Sequence, residues 1–464
     1  MSTTIAREIA AYCTDLSLSD LNDETVEYTK KLLLDTLGTS IGGYDWSESA
    51  DVIMETTRML HENEGKGNAT VLATGERFGS ADAALANGAL SHSLDYDNRH
   101  SPGSLHIGSS VVPTALAAAE TTAADGTTLL EAVVVGYDVA ARLGMACNPR
   151  SSHERGFHPT GTCGIFAATA AAGVVRGLDA DQLVAAFGVN GSQASGSYQC
   201  SVSGGWNKRL HPGLAARNAF VAVAYAENGF EGPPDPIEGE LGFLQAYANR
   251  PRPERATATL GDVYEAERTK IKPYPIGTFA HVPIALLIEI ATEYEFDPGR
   301  INEVVVEVPT SGAAMFGRDE GDNHPTTAAE AQFDMPFAVA LALTARKAGL
   351  TAFDDAVGGG YDDSFRRLMD VTRTVGSDKL EEYLPDLYPA RVIVRTPTET
   401  VERFREWVEG EPEHPMPWVD LEAKFADLTP RLNNAERAAT VEVVRSLDSR
   451  TVAELVETTC TAVR

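Results

Sequence analysis

The sequence predicts a mostly α-helical protein in which a large helical domain is interrupted by a smaller α+β lid domain. Apolar residues recur at helical spacing over about the first 230 residues. β-branched runs typical of strands appear only later, at 301–308 and 391–395. Helical spacing resumes after Pro415. A chain of 464 residues also exceeds the roughly 250–300 residues of a single core. We therefore predict a helical domain from residues 1–269 and 411–464 and a lid at 270–410.

Local signals place the first helices. Apolar spacing predicts a helix from Asn22 to Ser40, and the glycines at 42 and 43 are expected to end it. Further helices are predicted at 80–91 and at 111–120, with Pro113 in the first turn of the latter.

Two later helices are predicted to open with a capping box. The patterns are Thr128 with Glu131 and Asp179 with Gln182. The segment 160–175 is nearly all Ala, Gly, Thr and Val. A helix so poor in large side chains should be central and buried, or pressed against a partner subunit.

The predicted lid mixes strands and helices, and the chain then returns to helix. A return strand is expected at 399–408, beside the two β-branched runs. The helices predicted beyond residue 280 are 282–293, 336–347, 363–371, 419–428 and 434–447.

Composition restricts the possible partners. The net charge is −29, from 67 acidic and 38 basic residues, so the surface should repel nucleic acid and anionic lipid. Such acidity suits a high-salt cytoplasm, in which repulsion between the acidic groups is screened. The five cysteines form no CxxC or zinc motif. With no signal-peptide pattern and no run of roughly 20 apolar residues, we expect a cytoplasmic protein without membrane partners.

One polar stretch, at 87–113, differs from its apolar surroundings. Within fifteen residues it holds three histidines, two aspartates and an arginine: His92, Asp95, Asp97, Arg99, His100 and His106. Titratable groups gathered this densely can shift one another's pKa values toward a working range. A solvated polar loop is the alternative interpretation.

Three further segments carry chemistry. His158 and Thr160 precede the small-residue helix, whose N-terminus could hold an anion. Lys208, Arg209 and His211 stand together between glycines in a strongly acidic chain, which suggests an anionic substrate such as a carboxylate. Ordinary turns and surface ion pairs are the alternatives.

Lys272 and Tyr274 lie in a proline-braced turn at the predicted domain junction, a place that often binds small ligands. Other chemistries lack a motif: there is no phosphate-binding GxxxxGK[ST], no Rossmann turn and no GxSxG elbow. A metal site built from His92, His100, His106 and the aspartates is conceivable, but no spacing such as HExxH supports it, so we predict no metal.

Ordered blocks along almost the whole chain resemble the MmgE/PrpD family. They include His92-Ser-Leu-Asp95-Tyr-Asp97, Arg155-Gly-Phe-His158-Pro-Thr-Gly161, Lys208-Arg-Leu-His211-Pro-Gly213 and Lys272-Pro-Tyr-Pro275. The resemblance implies a helical domain with an α/β lid, usually in a homodimer. It also implies cofactor-free chemistry on small di- and tricarboxylates. The catalytic residues it implies are Asp95, His106, His158, Lys208 and Lys272.

This chain departs from many family members at two places. It reads Asn98-Arg99 where they have Asp-Asp-Thr, and Ile276-Gly277-Thr278 where they have Ser-Cys-Arg. These positions would contact carboxylates, so the departures bear on the substrate. The substrate-binding residues we predict are Arg99, Arg209, His211, Thr160 and Tyr274.

The leading functional prediction is a hydro-lyase of the 2-methylcitrate dehydratase type. Lys208, Lys272 and Arg99 would neutralise substrate carboxylates in a cationic interdomain cleft. His106 or Lys208 would remove the α-proton. His158 or Asp95 would protonate the leaving hydroxyl. Decarboxylation of a cis-aconitate-like acid, epimerisation and non-catalytic carboxylate binding remain open alternatives.

Overall fold

The computed structural model describes residues 3–61, 67–294, 297–318 and 324–460. Its chain forms two compact units. The first unit comprises residues 1–271 and 417–464, and the second comprises Lys272–Met416. The sequence placed the corresponding boundaries at 270 and 410. The outermost residues of the predicted helical domain, 1–2 and 461–464, lie outside the described residues.

The first unit is built from helices joined by short strand pairs. Up to residue 271 its helices are α1 (Ile5–Asp15), α2 (Asp23–Trp46), α3 (Ala50–His61), α4 (Ser80–His92), α5 (Gly108–Thr122), α6 (Gly126–Ala146), α7 (Pro149–Glu154), α8 (Pro159–Thr162), α9 (Gly164–Arg176), α10 (Ala180–Gly191), α11 (Cys200–Ser203), α12 (Asn207–Glu227) and α13 (Phe243–Tyr247). Its strands are β1 (Ala69–Thr70), β2 (Arg77–Phe78), β3 (Arg99–His100) and β4 (Thr269–Lys270), paired antiparallel as β1–β2 and β3–β4.

The second unit is an α+β structure, after which three helices complete the first unit. In chain order the elements are α14 (His281–Tyr294), β5 (Glu303–Pro309), α15 (Thr310–Phe316), α16 (Ala328–Ala331), α17 (Met335–Ala345), α18 (Leu350–Gly358), α19 (Asp363–Asp370), β6 (Thr372–Ser377), α20 (Asp378–Glu381), β7 (Ala390–Arg395), β8 (Thr400–Arg405), α21 (Trp418–Leu428), α22 (Asn434–Arg445) and α23 (Val452–Thr459). This arrangement confirms the predicted fold class. The sequence did not predict β6 or α23.

The glycines at 42 and 43 do not end α2, so that prediction was wrong. The helix continues to Trp46, and both glycines lie where other elements approach its backbone closely. A Cβ on Gly43 would lie 2.0 Å from the Leu90 carbonyl oxygen, and one on Gly42 would lie 2.6 Å from the Leu428 oxygen. The two glycines therefore serve packing against α4 and α21.

One of the two predicted capping boxes is present. Asp179 and Gln182 exchange both hydrogen bonds at the start of α10. At α6 the prediction was wrong: Asp125 is the N-cap and accepts from the Thr128 amide at 2.9 Å. Glu131 instead accepts from the Leu18 amide at 2.8 Å. Pro113 also lies beyond the first turn, because α5 already begins at Gly108.

The small-residue helix is buried, as the sequence predicts. Nearly all side chains of α9 are inaccessible to solvent, and α9 packs against α5, α6 and α12. Its alanines and glycines permit this close packing, which fixes α5 and α12 beside each other. Both of those helices bear on the candidate site described below.

The sheet of the second unit has the strand order β6-β5-β7-β8. Strand β5 pairs parallel with β6 and antiparallel with β7, and β8 pairs antiparallel with β7. Alternate residues of β7 are buried, which is typical of a strand with one covered face. Helices α14 and α17 supply much of the adjoining core. Among the described residues, no helix combines the length and apolar character that a membrane span requires.

Candidate active site

A short loop after α4 positions two aspartates. Asp95 adopts φ +51°, a left-handed conformation that is uncommon for residues other than glycine. Lys424 donates to the Tyr96 carbonyl at 2.9 Å, and Asn98 donates to Asp35 at 3.0 Å. Tyr96 and Asn98 thus fasten the loop to the helices, while Asp95 and Asp97 contact the candidate site residues.

Asp97 lies between two imidazoles and is fully buried. Its Oδ2 is 2.8 Å from His92 Nδ1, and its Oδ1 is 3.0 Å from His106 Nδ1. Burial alone would raise the pKa of Asp97, but the charges of His106 and His92 hold that pKa well below its usual value. Asp97 is therefore an ionised carboxylate that orients two rings.

Asp95 forms an ion pair with Lys208. Lys208, in the first turn of α12, places Nζ 2.6 Å from Asp95 Oδ1. The same carboxylate oxygen is 4.0 Å from His106 Nε2. Burial would lower the pKa of Lys208, but Asp95, with smaller contributions from Tyr198 and Asp97, raises it. Lys208 is therefore a persistent cation next to His106.

A second pair of histidines adjoins the first. His158 Nδ1 and His211 Nδ1 are 2.9 Å apart, and His158 stacks on His92 with ring centroids separated by 5.7 Å. Tyr198 stacks on the His158 ring at 5.0 Å. Burial and the neighbouring charges lower the pKa of His158 well below its usual value and that of His211 to about 4. Both rings are neutral at pH 7.

Backbone contacts hold His106 in place. The His106 amide donates to Thr160 Oγ1 at 3.0 Å, which links it to α8. Two residues later, the Gly108 amide donates to Asn98 Oδ1 at 3.2 Å. The neighbouring His100 has a different role: its Nε2 lies 3.1 Å from Glu265, and its Nδ1 accepts from the Gly103 amide. His100 therefore braces the loop.

Comparison with known proteins identifies the family. The family model for the MmgE/PrpD N-terminal domain matches residues 7–256, and that for the MmgE/PrpD C-terminal domain matches residues 274–449. The chain belongs to the MmgE/PrpD family. The cluster of histidines, aspartates and Lys208 lies within the part matched by the N-terminal family model.

Several relatives within the MmgE/PrpD family have names that state an activity. A cis-aconitate decarboxylase from Aspergillus terreus (strain NIH 2624 / FGSC A1156) is 26% identical, over 96% of this chain and 94% of the relative. A cis-aconitate decarboxylase-like protein, oryM, from Aspergillus oryzae is also 26% identical, over 94% and 93%. The human cis-aconitate decarboxylase is 26% identical over 61% of this chain and 58% of the relative.

Five predicted site residues of this MmgE/PrpD protein come together in the first unit. Asp95, His106, His158, Lys208 and His211 make the contacts described above, and Thr160 supports His106. Their chemical roles stay predictions.

The other predicted residues lie elsewhere. Arg99 donates to Ser101 and Ser104 at 3.3 and 3.2 Å. Arg209 pairs with Glu48 at 3.1 Å and lies over the Trp206 ring. Lys272 and Tyr274 belong to the second unit. Substrate contacts by these four residues therefore stay predictions.

Three participants were not among the predicted site residues. Asp97 and His92 were visible in the polar cluster, but nothing local shows that one carboxylate contacts both rings. Their spacing of five residues, across the end of α4, offered a weak signal. Tyr198 gave no signal, because its stacking on His158 depends on contacts distant in sequence.

Three side chains of the cluster are of types that can bind a metal ion. His92, Asp97 and His106 offer ligand-type atoms that all lie within 4.8 Å of one another. The 2.8 Å contact of Asp97 with His92 is a hydrogen bond and so requires a proton between the two atoms, whereas the 3.0 Å contact with His106 has the distance of an ion pair. A transition-metal ion would have to displace that proton.

Proposed function

We propose that this protein is a lyase that decarboxylates a small unsaturated tricarboxylate of the cis-aconitate type. The observation that carries the proposal is the ion-paired Lys208 beside His106, which combines a fixed cation with a proton-transfer group. Support also comes from the decarboxylase names of relatives that match almost the whole chain. The hydro-lyase reaction, our leading prediction from the sequence, becomes the second candidate.

The reaction needs a cation and a proton donor. In a β,γ-unsaturated carboxylate, the C–C bond to the departing carboxylate breaks, and its electron pair forms a new double bond with the adjacent carbon. The electrons of the old double bond take up a proton at its far carbon. One CO₂ leaves and one proton is consumed, with no external oxidant or reductant.

The site residues suit these roles. Lys208, whose raised pKa keeps it charged, would bind a carboxylate and stabilise negative charge that develops during C–C cleavage. His106, whose Nδ1 faces the ionised Asp97, would deliver the proton from Nε2. Arg99 would contribute a further contact to the substrate carboxylates, and the roles that the family motifs imply for Lys272 and Tyr274 stay predictions.

A dehydration is the second candidate, and His158 favours it. Its lowered pKa leaves the imidazole neutral at pH 7, so it can accept an α-proton. The lowered pKa of His158 thus favours a role as base rather than acid. The raised pKa of Lys208 favours a role as a cation rather than a base. With His106 as the acid, the same cluster would expel a hydroxyl group as water.

A substrate panel tests these proposals. cis-Aconitate, 2-methylcitrate, citrate and iminodisuccinate would each be incubated with the protein in high-salt buffer and followed by proton NMR. We expect loss of CO₂ from cis-aconitate or a close analogue. Loss of water from 2-methylcitrate alone would replace the decarboxylase by the hydro-lyase, and inversion of iminodisuccinate alone would indicate an epimerase. Calorimetric binding without any conversion would contradict an enzyme of either kind.

We also propose that the protein works as a cytoplasmic homodimer. The apolar side chains of Leu210, Leu214, Val221 and Tyr225 recur at helical spacing along α12 and are between 37% and 52% exposed. An apolar face of this kind is typical of an interaction surface. Sedimentation velocity should show a dimer, and Leu214→Glu should shift it toward monomer. A wild-type monomer at micromolar concentration would contradict this.

A further inference from the structure

Asp97 lies between the imidazole rings of His92 and His106. It is completely buried, and each of its carboxylate oxygens faces the Nδ1 of a different histidine. An ionised carboxylate can only accept hydrogen bonds. The contact with His92 is a hydrogen bond, so His92 carries a proton on Nδ1. The contact with His106 is an ion-pair distance of 3.0 Å, and a negative charge this close to Nδ1 favours a proton there as well.

This constraint determines what the other nitrogen of His106 can do. With Nδ1 protonated, Nε2 is a bare acceptor in the neutral ring and a proton donor in the charged ring. Nε2 is also the atom that approaches the Asp95–Lys208 pair, at 4.0 Å from Asp95 Oδ1. We propose that Asp97 is a positioning residue that fixes His106 in the Nδ1-protonated tautomer and stabilises its charged form, so that Nε2 exchanges the proton with the substrate.

Other charged groups around His106 define its electrostatic environment. Asp97 and Asp95 approach it at 3.0 and 4.0 Å, and His92 lies against its ring at a centroid distance of 4.8 Å. Lys208 forms an ion pair with Asp95, and His158 stacks on His92. His158, whose pKa is lowered well below its usual value, is neutral and adds no charge to this environment.

The proposal makes a prediction about the free protein that requires no substrate. With ¹⁵N-labelled histidine, long-range ¹H–¹⁵N correlation spectra distinguish the two neutral tautomers. His106→Gln would assign the His106 signals, and EDTA treatment would remove adventitious metal. We expect neutral His106 to carry its proton on Nδ1. A neutral His106 protonated on Nε2 would overturn the proposal.

Asp97→Asn tests the catalytic consequence. The amide keeps the shape of Asp97 but removes the charge, and it can accept from only one of the two rings. We expect kcat to fall by about 10²-fold or more, with KM changed much less. Loss of a carboxylate this close to His106 should lower the pKa of the His106 imidazole. The activity that needs charged His106 should therefore be lost at lower pH than in the wild type.

A second His–Asp pair provides the matched control. His324 Nε2 lies 2.8 Å from Asp370 in the second unit, where both side chains are partly exposed. Asp370→Asn makes the same chemical change and should leave kcat and its pH profile unaltered. An Asp97→Asn protein with a wild-type pH profile would overturn the proposal, and melting curves would show whether the variant is folded.

The inference rests on the proposed function only for the proton-delivery step. If His106 has the expected tautomer but no tricarboxylate is converted, the proposed function fails while the positioning by Asp97 stands. If a substrate is decarboxylated while Asp97→Asn behaves as wild type, the positioning inference alone fails.

Discussion

Asp97 and Asp35 are both fully buried in the first unit, but their pKa values move in opposite directions. The pKa of Asp97 is lowered well below its usual value despite burial, because His106 and His92 attract its charge. The pKa of Asp35 is raised, because burial outweighs its 2.6 Å contact with Lys424 and its hydrogen bond from Asn98. The charge of Asp97 raises it further.

The difference between the two aspartates follows from their partners. Asp97 faces two imidazoles, whose ring nitrogens can either donate or accept a proton, so its environment suits proton transfer. Asp35 is bound by an ammonium group whose own pKa is lowered by burial. Lys424 also holds the Tyr96 carbonyl and lies 3.9 Å from the Tyr96 ring centroid. Asp35 and Lys424 therefore fasten the loop that carries Asp95 and Asp97.

The largest expected effect separates activity from stability. His106→Ala and Lys208→Ala should each lower kcat/KM about 10²- to 10⁴-fold on the substrate that the NMR panel identifies, because each removes a proton-transfer or charge-stabilising group. Melting curves should show both variants folded, with a smaller loss of stability in Lys208→Ala than in Lys424→Ala because the Lys208 and Asp95 side chains are 23% and 11% exposed. Lys379→Ala, at an exposed position of α20, is the control and should retain full activity. If both site variants kept near-wild-type rates, the site would be wrongly assigned.

The Asp35–Lys424 pair should behave in the opposite manner. Lys424→Ala leaves a buried carboxylate without its ammonium partner and should lower the free energy of unfolding by about 3–5 kcal/mol. Urea unfolding followed by circular dichroism measures this change. The double variant Asp35→Leu, Lys424→Met removes both charges and should regain much of the loss. Equal stability of Lys424→Ala and wild type would show that the pair does not fasten the loop.

The sequence predicted local features better than contacts between distant residues. The Asp179–Gln182 capping box was predictable because all its atoms lie within four residues. The role of the glycines at 42 and 43 was not, because it depends on Leu90 and Leu428. β6 was missed because this edge strand, Thr372-Arg-Thr-Val-Gly-Ser377, has little apolar alternation.

The same distinction applies to the candidate site. Lys208 and the histidines were predicted as site residues because they are polar or cationic residues in apolar or acidic surroundings. The family motifs supported the same residues. The contacts of Asp97 with His92 and His106 depend on how the chain packs around α4 and α5, and the Arg209–Glu48 pair joins α12 to the connection between α2 and α3. Residue types were therefore predictable, whereas partners were not.

Asp138 offers a third buried aspartate with which to sharpen the comparison. Burial raises its pKa to about 7, although it accepts hydrogen bonds from Tyr12 and from the Glu265 amide. Because the folded state binds this proton more tightly than the unfolded state, its contribution to stability is full below pH 4 and declines as pH rises toward 7.

The loss attributable to Asp138 should be at most about 1.4 kcal/mol per pH unit. Asp138→Asn cannot ionise, so the difference between its unfolding free energy and that of the wild type should change in favour of the variant between pH 4.5 and 7 (about the span of the shift). Asp370→Asn, whose carboxylate is exposed, controls for general effects of pH. A constant difference across this range would contradict a raised pKa for Asp138.

The smallest effect on stability per charge should come from the exposed acidic residues, because water and salt screen them, unlike the buried ion pairs. A net charge of −29 repels itself, and salt screens exposed charges over roughly 10 Å or less. We expect the melting temperature to rise with NaCl concentration, as a protein from a high-salt cytoplasm would show. The destabilisation by Lys424→Ala should meanwhile stay nearly constant, because that pair is shielded from the solvent ions. A melting temperature that fell with added NaCl would remove the high-salt interpretation, whereas a strong salt dependence of the Lys424→Ala effect would mean that the pair is accessible to solvent.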